Sequence, residues 1–425
     1  MIIYPFAIIV SIYAIASFGV TDGCPDTISY ISAWDNIVHG QLDKLRTPLY
    51  PIYLGLAKEF FGLESFEYYA IIGQYLIFLL SIAPFHSICH RLISNSRIAF
   101  WTTAFYALNP FIFSWSACIL TESLAISGTI FLMYFIIRLY DSFSYLRLFA
   151  ATILLVALLL LRPAFIYFIP VIIVSWGYLL KKPEQSRQAI AVISSTVFAC
   201  LVLISYMSAY RQQYGLFATS QVSTVNRWFI ARQYGLINPD VIADSAFRAD
   251  IRESYRLHGE RYEGAISDPF CEGMYAEEKF FFNKYDVRTI NEVLDASFIS
   301  HPFENLSKAI GRAYKASSKP LFFIYAEFGW MKLLSFLLPF RMLHLYLFLS
   351  VYSVILIVIV IRQRYVPWIS ISMLLFTISN LILVIVGAHE EWNRLVLPSF
   401  PIFIILFAQL CALFSVKPIK EIELQ

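Results

Sequence analysis

Four places in this chain put acids or arginines at the edge of an apolar run, where an unpaired charge is expensive. Asp22, Asp26, Asp35 and Arg46 share one polar stretch, "TDGCPDTISYISAWDNIVHGQLDKLRTPLYPIYLGL". Glu122 stands in "ACILTESLAI", Arg162 in "LLLLRPAFIYF", and His389, Glu390, Glu391 and Arg394 in "VGAHEEWNRLVLPSFP". A carboxylate in a partly dry site can take a proton from an incoming hydroxyl or amine. Arginines can grip a phosphate and neutralise it as it leaves. Acids and arginines at one rim of a membrane bundle therefore suit transfer from a lipid-linked phosphate, whose tail lies among helices while its headgroup sits at the interface.

Each residue also has a plainer reading. Asp26 is the base candidate and equally a helix N-cap. Asp22 is a lesser base candidate or a turn residue beside Gly23. Glu122 is a second acid, a partner that orients an arginine, or an acid at the positive end of a helix. Arg46 reaches a donor or is a solvated loop charge. Arg162, after a long apolar run, must meet water or an anion. His389 and Arg394 touch phosphate or sugar, or else close a hairpin of ion pairs with Glu390 and Glu391.

The elements that must position these residues are membrane helices. The chain has 425 residues, 59% hydrophobic and only 14% charged, against roughly 45–50% and about 25% in soluble domains. The fold class expected is an all-α polytopic membrane protein. Period-two strands of an outer-membrane barrel are absent from the sequence, and no basic patch with interleaved aromatics points to nucleic acid. The opening "MIIYPFAIIVSIYAIASFGV" lacks a basic leader and a small-residue cleavage site, so a retained first helix is expected.

Apolar runs predict about ten spans, near 2–20, 69–89, 98–117, 123–137, 147–161, 164–180, 189–209, 342–361, 366–387 and 395–416. Pro110 and Pro163 predict breaks within them. Arg91, Arg97, Arg138, Arg147, Lys181, Lys182, Arg187, Arg362, Arg364, Lys417 and Lys420 fall at every second connection. That alternation places both termini in the cytoplasm, with a bacterial inner membrane as the expected location. The opposite, external face then receives all four polar clusters. The organisation expected is 1–209, seven helices with the first external loop 21–68; 210–341, an external helical domain; and 342–425, three more helices. Residues 319–340, apolar but interrupted by Glu327, Lys332 and Pro339, suit an interfacial or re-entrant segment. The stretch "QVSTVNRWFIARQYG" is a candidate for a helix facing donor or acceptor.

The six cysteines form no C-x-x-C pair, which removes zinc and thioredoxin-type readings. Cys24, Cys118 and Cys271 fall on the external side, and a Cys24–Cys271 pair is one option. Asn305-Leu306-Ser307 fits a glycosylation sequon of low specificity.

The ordered motifs resemble the GT-C superfamily of integral-membrane glycosyltransferases. The first external loop matches in Asp26, Tyr30, Gly40 and the run Arg46, Pro48, Tyr50, Pro51. "NPFIFSWSACILTESLAI", "LLLLRPAFIYFIP" and "HEEWNRLVLPSFPIFIIL" are similar to later landmarks of that family, in order and across the whole membrane frame. In style the chain looks like bacterial aminoarabinose and protein mannosyl transferases. The resemblance implies a hexosyl- or pentosyltransferase that moves a sugar from a polyprenyl-phosphate donor to a glycan, lipid or protein acceptor. It implies Asp26 as base or metal-site acid, with Asp22 and Glu122 as further acids. Arg46, Tyr50, Arg162, His389, Glu390 and Arg394 would bind substrate. Asp22 and Asp26 do not form Asp-x-Asp, so no metal ligand is assigned, and Mg or Mn stays open as a cofactor. The rival reading is a transporter or flippase of lipid-linked sugars, which would put charges at the bilayer midplane instead of one face.

Overall fold

Helices here begin and end where side chains or prolines dictate. The Asn95 side-chain oxygen accepts hydrogen bonds from the N–H groups of Arg97 and Ile98, at 3.0 and 3.3 Å. The Asn109 side-chain oxygen does the same for Phe111 N–H at 2.9 Å, which satisfies donors left free at a helix start. Asn109 and Arg162 both precede proline. That position disfavours helical backbone, and both residues are extended.

The computed structural model describes residues 2–20, 26–177, 186–259, 272–300, 302–318, 341–363, 367–387 and 392–415. The described residues form helices and no β-strand. In the first half these are α1 (Ile3–Phe18), α2 (Asp26–Val38), α3 (Leu49–Phe61), α4 (Phe66–Leu92), α5 (Ser96–Leu108), α6 (Pro110–Phe113), α7 (Glu122–Asp141), α8 (Tyr145–Leu161), α9 (Phe168–Gly177) and α10 (Ser186–Tyr214). A helical domain follows with α11 (Val222–Tyr234), α12 (Ser245–His258), α13 (Glu272–Lys284), α14 (Val287–Ser300) and α15 (Pro302–Ser317). The chain then returns to the bundle through α16 (Met342–Gln363), α17 (Trp368–Gly387), the short α18 (Trp392–Leu395) and α19 (Phe400–Ser415).

Five of these helices are long and apolar enough to cross a membrane: Phe66–Leu92, Glu122–Asp141, Arg187–Tyr214, Met342–Arg362 and Trp368–Gly387. Four shorter apolar helices accompany them: Ile3–Ser17, Tyr145–Leu161, Pro163–Ser175 and Leu397–Leu413. Helix length alone therefore does not reach the expected ten. The expected span over 98–117 breaks at Asn109 into α5, α6 and a 3-10 turn at Ser114–Ala117. Pro163 likewise replaces one helix by a 3-10 turn, Pro163–Tyr167, followed by α9.

Two apolar cores result. The larger runs through the membrane bundle, and exposed Ile, Leu, Val and Phe side chains cover much of that bundle's outside, as an apolar solvent allows. The smaller core lies in the helical domain around Trp228, Phe247 and Phe281. Beside it Arg232 is fully buried and closes on Glu277 at 2.5 Å.

The link from α2 to α3 is held tightly. Gly40 takes a left-handed turn, φ 74°, which costs other residues Cβ strain. Asp43 accepts from the N–H groups of Leu45 and Arg46 at 2.8 and 2.6 Å, and Asn36 donates to Asp43 at 2.8 Å. Gly55 lets α3 lie directly against Trp34 of α2; a Cβ there would stand 1.9 Å from the indole ring. Gly55→Ala should therefore lower stability by about 1–3 kcal/mol through overpacking. The expected readout is a lower thermal midpoint of the detergent-solubilised protein, and an unchanged midpoint would show that α2 and α3 do not pack this closely.

Candidate functional site

Helix starts and helix breaks bring five charged side chains together. Asp26 opens α2 and Glu122 opens α7, so both acids sit at the positive ends of helix dipoles. Arg162 lies in the extended residue that Pro163 forces between α8 and its 3-10 turn. Arg46 follows the Asp43-capped loop, and Arg394 sits on the short α18.

The charges alternate. Arg46 Nη2 bonds Asp26 Oδ1 at 2.5 Å, and Arg394 Nη2 bonds Asp26 Oδ2 at 2.8 Å. Arg394 Nε lies 3.2 Å from Glu122 Oε1, and Arg162 Nη2 lies 3.5 Å from the same oxygen. Three guanidiniums thus face two carboxyl groups. Glu122 is 1% exposed and Arg162 7%, so each depends on the other: breaking a buried pair costs about 3–5 kcal/mol. Glu122 Oε2 and Arg162 Nη1 are buried and have no hydrogen-bond partner. Such atoms need an explanation, and a polar ligand supplies one.

Neighbours fix the geometry. Arg46 Nε donates to Ser29 Oγ at 2.8 Å, and its guanidinium lies 4.2 Å over the Tyr30 ring. The Thr47 hydroxyl donates to the Leu161 carbonyl at 2.9 Å, which ties the Arg46 loop to the break at Arg162. Asn380 of α17 donates to Ser399 Oγ at 2.9 Å and to the Val396 carbonyl at 3.3 Å, which pins the chain just after Arg394. The Lys44 carbonyl accepts from the Tyr210 hydroxyl at 2.7 Å and from Gln221 N–H at 3.0 Å, so the same loop is bonded to the root of the helical domain.

All five charged residues line a cavity of about 550 Å³. Its bundle wall adds Tyr30, Thr121, Asn380 and Val384; its domain wall consists of Ser223, Asn226 and Phe229 of α11 with Tyr275 and Glu278 of α13. Five residues of the segment 221–235, Val222, Ser223, Val225, Asn226 and Phe229, line this cavity.

Tyr50 requires a correction. It was expected to touch substrate, but it does not line this cavity. It is fully buried and donates to Gln74 Oε1 at 2.9 Å, while Gln74 Nε2 donates to the Ser116 and Cys118 carbonyls at 3.0 and 2.8 Å. Its ring packs edge-on to Tyr30 at 5.0 Å. Tyr50 therefore braces two parts of the site from behind: the ring beneath Arg46, and the unwound chain leading to Glu122. Asp35 pairs with Lys58 at 3.1 Å and does not line the cavity. Cys118 is buried and forms no disulfide among the described residues. Asp22, His389, Glu390, Glu391, Cys24, Cys271 and the segment 319–340 lie outside the described residues.

Glu278, Gln74 and Asn380 were not singled out in the sequence as site residues, and Tyr30 stood out only as part of the first-loop motif. Glu278 is half of a Glu-Glu pair on a polar helix, where solvated acids are common. Gln74 and Asn380 are single amides inside apolar runs, and that expensive placement is the one clue they offered.

Burial alone would push the Asp26 carboxyl up. The charges and hydrogen bonds of Arg46 and Arg394 more than reverse this and hold it down at about 2. Burial tends to lower the Arg46 guanidinium too, but Tyr30 and Asp26 leave it raised. Among the described residues no three His, Cys, Asp or Glu side chains gather to hold a metal. Asp26 and Glu122 are each engaged by two arginines, so this donor set does not fit a divalent cation.

No family model matches the sequence, and no curated protein matches it. Solved structures do. The archaeal oligosaccharyltransferase AglB from Archaeoglobus fulgidus, in complex with an inhibitory peptide and a dolichol-phosphate, matches with TM-score 0.51 at 12% identity. The apo crystal structure of the Archaeoglobus fulgidus oligosaccharyltransferase matches with TM-score 0.51 at 13% identity. Each match covers 95% of this chain and 49% of the other, so the chain spans about half the length of the structures it matches. The likeness is one of overall fold.

The Asp26 carboxyl sits below its ordinary value of 3.8. Its ion pairs therefore stabilise the fold fully above about pH 4 and lose that effect as the pH falls through about 2. Arg46→Gln removes one of its two arginines, so the Asp26 carboxyl should protonate at higher pH than in the wild type. Infrared difference spectra of the carboxyl band against Asp26→Asn measure this. Identical titrations with and without Arg46 would show that the pair does not form in the membrane protein.

Proposed function

We propose that this chain is a glycosyltransferase of the membrane surface, taking a sugar from a polyprenyl-phosphate donor at the external face. The observation that carries the proposal is the cluster of Arg46, Arg162 and Arg394 around Asp26 and Glu122 lining one cavity. Its excess of guanidinium over carboxyl groups, with an unpartnered Arg162 nitrogen, matches a phosphate in charge and hydrogen-bonding demand. Likeness in fold to an oligosaccharyltransferase solved with dolichol-phosphate supports the same class of donor.

In this reading the donor phosphate enters among the three arginines and competes with Asp26 and Glu122 for them. The acceptor oxygen or nitrogen attacks the sugar carbon from the face opposite the phosphate. The bond from that carbon to the phosphate oxygen breaks, and the new negative charge develops where the guanidiniums already lie, which is the arrangement that lowers such a barrier. Asp26 is the proposed base, on one condition. Clamped by two arginines it holds protons too weakly, so the phosphate must first draw Arg46 and Arg394 off it.

The prenyl tail would use the flank of the bundle. An apolar groove of about 1160 Å³ runs between α5, α16 and α19, from Pro110 and Phe400 to Ile98 and Cys411. The segment carrying Pro398, which lines the charged cavity, and Phe400, which lines the groove, is shared between the two. Ten crossings with both termini in the cytoplasm complete the proposal, the shorter helices α1, α8, α9 and α19 and the broken α5–α6 segment joining the five long ones.

Asp26→Asn should reduce transfer by about 10²-fold or more, the usual scale for losing a positioned base, with the protein still folded by thermal melting. Arg162→Gln should weaken donor use at least about tenfold, since a charge-assisted phosphate contact is worth about 1.5–3 kcal/mol. Mass spectrometry after deletion of the chain should find a polyprenyl-phosphate sugar accumulating and one surface glycan lacking a residue. Unchanged lipid-linked sugars and glycans would exclude the transferase reading.

A further inference from the structure

The three cavity carboxylates are not alike. Asp26 and Glu122 come from the bundle, and each is engaged by two arginines. Glu278 comes from α13 in the helical domain and lines the same cavity; among the described residues it has no hydrogen bond or ion pair, only the longer-range charges of Lys279 and Lys44. It is partly buried. Its neighbours on the domain wall are Ser223, Asn226, Phe229 and Tyr275, and the Phe229 and Tyr275 rings meet edge-on at 5.3 Å. The arginines and the phosphate they suit therefore belong to one wall, and an unengaged carboxylate with hydrogen-bonding and aromatic side chains belongs to another.

We propose that Glu278 is the acceptor-side carboxylate: it accepts the hydrogen bond of the attacking hydroxyl or amine, aims it at the donor, and takes its proton ahead of Asp26. This rests on the transferase reading and refines it: the proton goes to Glu278, and Asp26 keeps the arginines in place. The step balances. The acceptor oxygen or nitrogen bonds to the sugar carbon, the carbon–oxygen bond to phosphate breaks with its electron pair leaving on the phosphate, and the acceptor's proton moves to a Glu278 oxygen. No prior exchange of arginines is required, because Glu278 has none to lose.

The electrostatics agree. Burial pushes the Glu278 carboxyl above its ordinary value, although Lys279 and Lys44 act in the other direction. A carboxylate moved toward neutrality is a better proton acceptor at working pH. The charges on the helices packed against α13 are turned to other partners. Arg227 of α11 bonds Asp295 at 2.5 Å, Arg232 closes on Glu277, and Arg288 of α14 pairs with Glu292 at 3.1 Å. Tyr275 on α13 itself, and across the cavity Tyr30, Asp26, Glu122, Arg46, Arg162 and Arg394, complete the titratable and charged groups lining the space that Glu278 shares.

The experiment uses the purified full chain in nanodiscs with polyprenyl-phosphate-linked hexoses and pentoses as donors, and water, octyl glycosides or azide as the nucleophile. Glu278→Gln should lower transfer to the hydroxyl nucleophiles by about 10²-fold, while azide, which has no proton to lose, restores turnover and yields the glycosyl azide. The wild-type rate should fall on the acid side as Glu278 is protonated, and that limb should vanish in Glu278→Gln. Glu278→Asp should recover part of the rate, with the limb displaced. Transfer within twofold of wild type in Glu278→Gln, or azide rescue of Asp26→Asn but not of Glu278→Gln, overturns the assignment and leaves the transferase reading standing. A wild-type chain that turns over none of these donors overturns both.

Discussion

A charge at the rim of a membrane bundle must find an opposite charge, and in this protein that requirement is met by one alternating chain: Arg46, Asp26, Arg394, Glu122, Arg162. Its members come from the α2 start, the loop before α3, the α7 start, the α8 break and the short α18. Desolvation makes each member costly alone. The five segments are therefore held together by the same interactions that create the site, and the surplus guanidinium leaves that site ready for an anion.

The local structure around the chain serves its placement. Two pre-proline residues refuse the helix. One of them is Arg162 itself; the other, Asn109, begins the unwound stretch that ends at Glu122. Unwound backbone within a bundle needs partners for its polar groups. Gln74, itself held by Tyr50, supplies them for Ser116 and Cys118, and Thr47 supplies one for Leu161. The buried Tyr50 therefore matters to the site without touching it. Its hydroxyl reaches through one amide to the approach of Glu122, and its ring supports the ring under Arg46.

The cavity joins two chemistries because it joins two bodies of the chain. The bundle wall carries fixed positive charge suited to a phosphate, and the domain wall carries Glu278 with aromatic and amide neighbours. Lys44 and its loop are bonded to Tyr210 and Gln221 at the root of the domain. The loop that presents Arg46 to one wall is thus anchored to the element that begins the other.

Much of this was legible in the sequence. Composition fixed an all-helical membrane protein, because runs this apolar have no stable place in water. Pro110 and Pro163 announced the helix breaks, since a proline ring disfavours helical backbone in the residue before it, although Pro51 and Pro84 lie inside helices. Asp26, Arg46, Glu122, Arg162 and Arg394 stood out because charge beside apolar runs is expensive everywhere. What the sequence could not decide was pairing. Which arginine meets which acid, whether Tyr50 faces the cavity or its back, and that Glu278 of a distant helix comes to the same space all depend on how helices hundreds of residues apart pack. Burial and partner are properties of three-dimensional neighbours, and a carboxylate reads the same in sequence whether two guanidiniums hold it or none.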